Sequence, residues 1–301
     1  SFAKIFCRRL LTYLITIAIL IGSFFLITFL SEIQMNSDNF FIGIAISLSL
    51  AVLNIGMGLV IYTLTVFEKD FTHTNYQASL ALKSVFAQLI NSIVIPVWIK
   101  QKNIYGRAGL VEDAFWLVIS TALLDPILKL FDLYYLYTRI RYWLKLKPYS
   151  RIGLDQSKLN SYAERMEFEA GFEYIYITNL FLITCFFAPI QPITPLISFV
   201  GFFSMYWIQK YSLLNRMKRP VPGSDMVNVA MGTVITLGPI MLGVGNLVFS
   251  DFLSAHGEGS LKFLLHLISI GVGVFFYVLP FKLIYRCTFS EDEVFENLSY
   301  F

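Results

Sequence analysis

Long uncharged hydrophobic runs, separated by short polar segments, recur along the whole chain. They include residues 10–30, 40–67, 174–209 and 226–250. Each run exceeds the roughly 20 residues that an α-helix needs to cross the hydrocarbon core of a bilayer. The pattern therefore predicts an all-α integral membrane protein.

Proline divides the longest run into two helices. Pro189, Pro192 and Pro195 interrupt it, and proline ends or kinks a helix because it lacks the amide hydrogen. With this division we expect about eight transmembrane spans: residues 10–30, 40–67, 77–99, 114–137, 172–188, 196–211, 226–249 and 261–281.

The lysines and arginines of the loops lie mostly on the side of the membrane where the chain begins. Loops rich in these residues face the cytoplasm, so both termini are expected there. This orientation gives a cytoplasmic juxtamembrane segment (1–9), a transmembrane domain (10–285) with a basic cytoplasmic loop (138–166), and an acidic cytoplasmic tail (286–301).

The composition supports a membrane protein, because 56% of the chain is hydrophobic and only 14% is charged. Soluble domains carry about 25% charged residues, so soluble enzymes and nucleic-acid binders are excluded. The three histidines and three cysteines show no metal-ligand or catalytic spacing. We therefore expect no enzymatic activity, no cofactor and no nucleic-acid partner.

Polar side chains inside the predicted spans are the candidate functional residues, because they are costly to place in lipid. In the third span Ser84, Gln88 and Asn91 recur on one helix face, and Lys83 lies beside them. Such a stripe must face protein or water. It either lines a pore or joins helices through hydrogen bonds.

The fourth span contains Asp125, Pro126 and Lys129. The acid lies one turn before the base, which favours an ion pair between them, and Pro126 is expected to kink the helix. These features suit a moving gate and a static helix equally. Asn54 in the second span and Asn179 in the fifth are single polar groups.

Acidic residues gather where the fifth span begins on the predicted cytoplasmic side. They are Glu164, Glu167, Glu169 and Glu173. They form either a solvated acidic rim, or a divalent-cation site or vestibule that attracts cations.

One spacing resembles a known family. Glu68 closes the second span, Lys83 follows after fourteen residues, and Asn91 follows after seven more. This spacing resembles the OSCA-type (CSC-like) stress-gated, calcium-permeable cation channels, relatives of the anoctamins and the transmembrane channel-like proteins. The Pro-bounded turn at 188–192 and the segment 122–143 are similar to theirs as well.

The resemblance implies that the chain is the last eight spans of a channel with an anoctamin/OSCA-like bundle. Spans one to five would line the pore of each subunit, with Lys83 and Asn91 on the pore side of span three and Glu68 at the cytoplasmic corner. Span four would gate the pore, and the subunits would form a homodimer or join a larger complex. The gating helix of the family normally has a glycine hinge, whereas span four contains no glycine. Either Pro126 replaces the hinge or the gate is lost.

Three functions remain open. The first is a mechanosensitive or osmosensitive non-selective cation channel, with membrane lipids and permeating cations as its partners. The second is an anoctamin-type phospholipid scramblase. The third is a non-transporting scaffold, which would fill its groove with large apolar side chains such as Phe86 and Trp98.

Overall fold

The computed structural model describes residues 2–35, 40–69, 72–100, 104–105, 109–145, 168–218, 226–253 and 259–278. Helices dominate these ranges, and none of them contains a β-strand. The α-helices are α1 (Phe2–Met35), α2 (Phe40–Glu68), α3 (His73–Leu89), α4 (Ile95–Lys100), α5 (Leu110–Phe131), α6 (Leu133–Lys145), α7 (Ala170–Phe187), α8 (Thr194–Asn215), α9 (Met226–Ile235), α10 (Gly238–Leu253) and α11 (Gly259–Val278).

Six helical stretches of the described chain are long and apolar enough to cross a membrane, as in a multi-pass membrane protein. They are Cys7–Gln34, Leu48–Glu68, His73–Lys100, Leu110–Ile140, Ala170–Phe187 and Val227–Phe249. The other two predicted spans fall on α8, which is more polar, and on α11, whose apolar part is shorter. The total of eight spans and the cytoplasmic termini therefore stay predictions.

Helices α3 and α7 form the centre of the bundle. Helix α7 packs against α3, α5, α8, α9 and α10, whereas α1 packs mainly against α2 and α4. Many large apolar side chains on the outer helices are exposed, among them Phe25, Leu196 and Phe199. Exposed apolar surface of this kind suits contact with lipid tails, which are as apolar as leucine.

Proline explains two helix boundaries. The predicted turn between spans five and six is confirmed, because α7 ends at Phe187 and α8 begins at Thr194. The span predicted over 226–249 corresponds to one apolar stretch, Val227–Phe249, but that stretch consists of two helices, α9 and α10. Pro239 has no N–H to donate to the carbonyl of Ile235, which is where α9 ends.

The fourth predicted span, which corresponds to the stretch Leu110–Ile140, contains a break that was not predicted. Helix α5 continues through Pro126 and ends at Phe131, and Asp132 adopts a left-handed conformation with φ 40°. The Asp132 carboxylate accepts a hydrogen bond from the backbone N–H of Tyr135 (3.0 Å) and so caps α6. Arg216, at the end of α8, donates to the last carbonyl oxygens of α5. The junction between α5 and α6 is thus fixed by side chains.

Glycines permit two close helix contacts. A side chain at Gly245 of α10 would overlap the carbonyl oxygen of Phe186 in α7. A Cβ at Gly201 of α8 would lie 2.9 Å from the Cβ of Ala122 in α5. Small residues allow this approach, and the second contact packs α8 directly against the predicted gating helix.

Candidate functional site

A π-helical segment interrupts the third span in the middle of the bundle. It covers Ile90–Val94, between α3 and α4. Pro96 has no backbone N–H to donate to the carbonyl of Ser92. The backbone N–H of Ile95 donates to the carbonyl of Ile90, five residues back, rather than to the residue four back as in an α-helix. Such π-helical turns are rare and occur frequently at functional sites.

This segment meets α2 in a network of buried amides centred on Asn54. The Asn91 side-chain nitrogen donates to Oδ1 of Asn54 (2.5 Å), and the Asn54 side-chain nitrogen donates to the hydroxyl of Ser92 (2.7 Å). The Gln88 side-chain nitrogen donates to the Asn54 carbonyl (3.2 Å). Asn54, considered alone in the sequence, thus joins two residues of the predicted stripe.

The predicted stripe on the third span faces protein. Ser84 and Asn91 are fully buried and Gln88 is 7% exposed. The Ser84 hydroxyl and the Asn91 Oδ1 make no hydrogen bond within the described structure. Buried polar groups without partners are costly. Apolar side chains at these two positions would avoid that cost, so helix packing alone does not explain the polar residues.

A small cavity lies beside this network. Its volume is about 20 Å³, and its polar lining comes from four helices. The polar residues are Asn54, Gln88, Thr121, Asp125 and Asn179. We call it the inner cavity. Two predicted residues that are distant in sequence, Asp125 and Asn179, meet there.

A larger cavity of about 440 Å³ adjoins the inner cavity, because Ile55, Gln88 and Asp125 line both. We call it the outer cavity. Its lining includes Lys129 and Glu173, which lie at the end of the bundle that the basic loops predict to be cytoplasmic. The two cavities form a continuous row of polar groups from that end to the middle of the bundle.

The ion pair predicted within the fourth span is wrong, because Lys129 has a different partner. The Lys129 ammonium pairs with Glu173 of α7, and the same carboxylate accepts a hydrogen bond from Gln209 of α8. Glu173 lies in the first turn of α7, on a different helix from Lys129, so the spacing of residues along α5 could not reveal this pair.

Asp125 consequently has no direct ion-pair partner among the described residues, although Lys129 lies near enough to interact with it electrostatically. Its carboxylate makes no hydrogen bond or ion pair in the described part of the chain, and it lines both cavities. An acid that lines a cavity within a predicted span and makes no direct ion pair is expected to have a functional role.

Lys83 and Glu68 form a buried ion pair away from these cavities. The Lys83 ammonium lies 2.5 Å from both carboxylate oxygens of Glu68, which is fully buried. The Thr12 hydroxyl donates to the same carboxylate, and the ammonium lies 4.9 Å from the centre of the Tyr13 ring. Neither charged residue lines the inner or the outer cavity. The predicted pore lysine and vestibule acid therefore join α1, α2 and α3.

A second buried ion pair lies at the opposite end of the bundle and was not predicted. Lys100, at the end of α4, pairs with Asp113 in the first turn of α5. Gln34 of α1 donates to Asp113 (3.0 Å) and accepts from Lys100 (2.8 Å). The predicted spans 77–99 and 114–137 place both Lys100 and Asp113 in the loop between them. An acid next to the start of the following span was the one sequence signal for such a pair.

The remaining predicted acids contribute less to the site. Glu169 directly precedes α7 and lines neither cavity, while Glu164 and Glu167 lie outside the described residues. The described part of the chain contains no cluster of three or more His, Cys, Asp or Glu side chains able to hold a metal ion.

Large apolar side chains of the third span do not fill the cavities. Phe86 is 48% exposed and Trp98 is 72% exposed, so both point out of the bundle. Gln88, on another face of the same span, lines both cavities.

The chain matches no protein-family model and no curated protein.

Proposed function

We propose that the chain forms a mechanosensitive or osmosensitive, non-selective cation channel. Its pore would lie in each subunit among the helices of spans one to five. The observation that carries the proposal is the row of polar side chains from the outer cavity, through the inner cavity, to the amide network around Asn54. The inner cavity is mainly polar, and the outer cavity, although mostly apolar, contains the charged side chains of Asp125, Lys129 and Glu173; a bundle needed only for packing would gain nothing from these groups.

The charges along this row favour cations. Lys129 pairs with Glu173 in the outer cavity, and Lys83 pairs with Glu68 outside it. Within the described residues, the Asp125 carboxylate on this row makes no direct ion pair. Acidic groups in a water-filled path attract cations and repel anions.

The conformation is closed at the Asn54 network, because its amides are buried and bonded across α2 and the π-helical segment. Membrane tension favours a state with a larger area in the membrane plane. In the proposed opening, α5 moves away from α3, with Pro126 and the break at Asp132 as places where α5 can bend. A return of the π-helical turn to α-helical geometry would rotate Asn91 relative to Asn54.

The two alternatives have less support. A scramblase needs polar groups along a groove open to lipid, whereas Gln88 and Asn91 are buried between helices. A scaffold is expected to fill its groove, whereas Phe86 and Trp98 point outwards and the outer cavity remains open.

The test is electrical recording from the full-length protein in liposome patches under stepped suction. We expect stretch-evoked currents whose reversal potential follows the cation gradient. Gln88→Leu is expected to lower the single-channel conductance, because Gln88 lines both cavities. The matched control is Gln77→Leu, since Gln77 lies on the same helix, is also 7% exposed and lines neither cavity.

No current under suction would refute the proposal. In that case a fluorescent-lipid assay on the same liposomes decides between the alternatives, because lipid exchange indicates a scramblase and its absence a scaffold.

A further inference from the structure

The inner cavity has two side-chain oxygens that are buried and unpartnered. Asn179 is 3% exposed and Thr121 is 7% exposed. The Oδ1 of Asn179 and the hydroxyl oxygen of Thr121 make no hydrogen bond in the described structure. Leaving such groups unpaired costs about 1–3 kcal/mol each, so a bound species that pairs with them would be favoured.

The other polar groups of this cavity offer few free donors. The side-chain nitrogen of Gln88 already donates to the Asn54 carbonyl, and that of Asn54 donates to Ser92. The fifth polar residue is Asp125, whose carboxylate makes no hydrogen bond or direct ion pair within the described residues. Apart from the hydroxyl hydrogen of Thr121 and the amide nitrogen of Asn179, the cavity therefore presents oxygen acceptors, one of which is the Asp125 carboxylate.

The size of the cavity limits what can bind. Its volume of about 20 Å³ is close to that of a single water molecule, for which about 10–15 Å³ is sufficient. A chloride ion would meet the Asp125 carboxylate, and an organic ligand would not fit. Water and a small cation remain, and hard cations bind to oxygen ligands of this kind.

We propose that the inner cavity binds one hard cation, Na⁺, K⁺ or Ca²⁺, through the side-chain oxygens of Thr121, Asp125 and Asn179. The inference deepens the proposed function and rests on it for the route by which the ion reaches the cavity. One carboxylate with neutral oxygens gives a weak site, which suits an ion that must also leave.

The site can be tested by thermal unfolding of the full-length protein in lipid nanodiscs. Unfolding is followed in chloride salts of N-methyl-D-glucamine, Na⁺, K⁺ and Ca²⁺ at equal ionic strength. A cation that binds only the folded protein raises the unfolding temperature in a concentration-dependent way. We expect at least one of the three small cations to do so, and the large organic cation to have no effect.

Two variants locate the site. Asp125→Asn is expected to weaken the apparent cation affinity by about tenfold or more, since even the loss of a group supporting a metal ligand costs about 10–100-fold. The matched control is Asp132→Asn, which removes an acid that lines only the outer cavity. Asparagine retains the side-chain oxygen that caps α6 and tolerates the left-handed conformation, so this control should keep the cation effect.

Thr121→Val provides a second variant that should fold. The Thr121 hydroxyl oxygen has no protein partner, so its loss breaks no hydrogen bond made by that oxygen within the described structure. We expect an unfolding temperature in the organic cation equal to that of the wild type or higher, together with a reduced shift on adding the small cation.

Each outcome is decisive. Equal unfolding temperatures in all four salts, or equal cation shifts in the wild type and Asp125→Asn, would overturn the site and leave water in the cavity. Tension-evoked current without a cation shift would refute this site while supporting the channel. A cation shift lost in Asp125→Asn, without current, would keep the site and refute the channel.

Discussion

Removing the ammonium of Lys83 should destabilise the protein strongly, because its partner Glu68 is fully buried. In Lys83→Met the carboxylate keeps the hydroxyl of Thr12 as a hydrogen-bond donor but loses its counter-charge. Breaking a buried ion pair by removing one partner costs about 3–5 kcal/mol. We expect a loss of that size in the free energy of unfolding.

Removing both charges should restore most of this loss. Replacing a buried pair by apolar groups of similar volume is often neutral or stabilising by about 1–4 kcal/mol. The double variant Glu68→Met/Lys83→Met is therefore expected to be more stable than Lys83→Met. A double-mutant cycle should then give a coupling free energy of several kcal/mol.

The measurement is unfolding of the full-length protein in mixed micelles by increasing fractions of sodium dodecyl sulfate, followed by tryptophan fluorescence. Lys129→Met is the control, because the Lys129 side chain is 30% exposed in its pair with Glu173. The Lys129–Glu173 pair is only part-buried and therefore lies between an exposed pair, which contributes about 0–1 kcal/mol, and the more deeply buried pair with Glu68, so this control should lose less stability than Lys83→Met. A cost below about 1 kcal/mol for Lys83→Met, or additive effects in the double variant, would refute the reasoning.

Three further predictions concern other parts of the bundle. Asp113→Asn should lower the free energy of unfolding by about 3–5 kcal/mol, because it removes one charge of a buried ion pair; the same micelle titration measures this, and a loss below about 1 kcal/mol would contradict it. Gly245→Ala should destabilise by about 1–3 kcal/mol through overpacking, whereas Gly232→Ala, which meets no atom within 4 Å, should be neutral or stabilising by up to about 1 kcal/mol; equal effects would disprove the close contact. Glu173→Gln should reduce single-channel cation conductance with a stability loss below about 1 kcal/mol, and unchanged conductance would argue against the outer cavity as the mouth of the pore.

The membrane class and most helices could be predicted from the sequence, because hydrophobic length and proline act locally. The run at 174–209 and its three prolines were enough to predict α7, the turn and α8. The break after α9 was missed even though Pro239 was visible, because a hydrophobic run alone does not reveal that the chain bends within it.

The site could be predicted only in part, since partners across helices depend on packing. The polar stripe of the third span indicated burial, but the residue that it meets, Asn54, was a single amide with no pattern of its own. Asp125 lies four residues before Lys129 on the same helix, and this spacing predicted an ion pair between them. The tertiary structure pairs Lys129 with Glu173 instead, which leaves Asp125 available to the cavities.

State-dependent access to the inner cavity tests the central proposal most directly. Thr121→Cys is introduced into full-length protein whose native cysteines have been replaced, and a cationic methanethiosulfonate reagent is applied to liposome patches from the predicted cytoplasmic side. The proposal predicts that the tension-evoked current falls irreversibly when the reagent is present under suction, and not when it is present at rest. Phe86→Cys, on the outer face of the same bundle, should show no such change. A Thr121→Cys current that is unaffected by reagent under suction would contradict a cation path through this cavity.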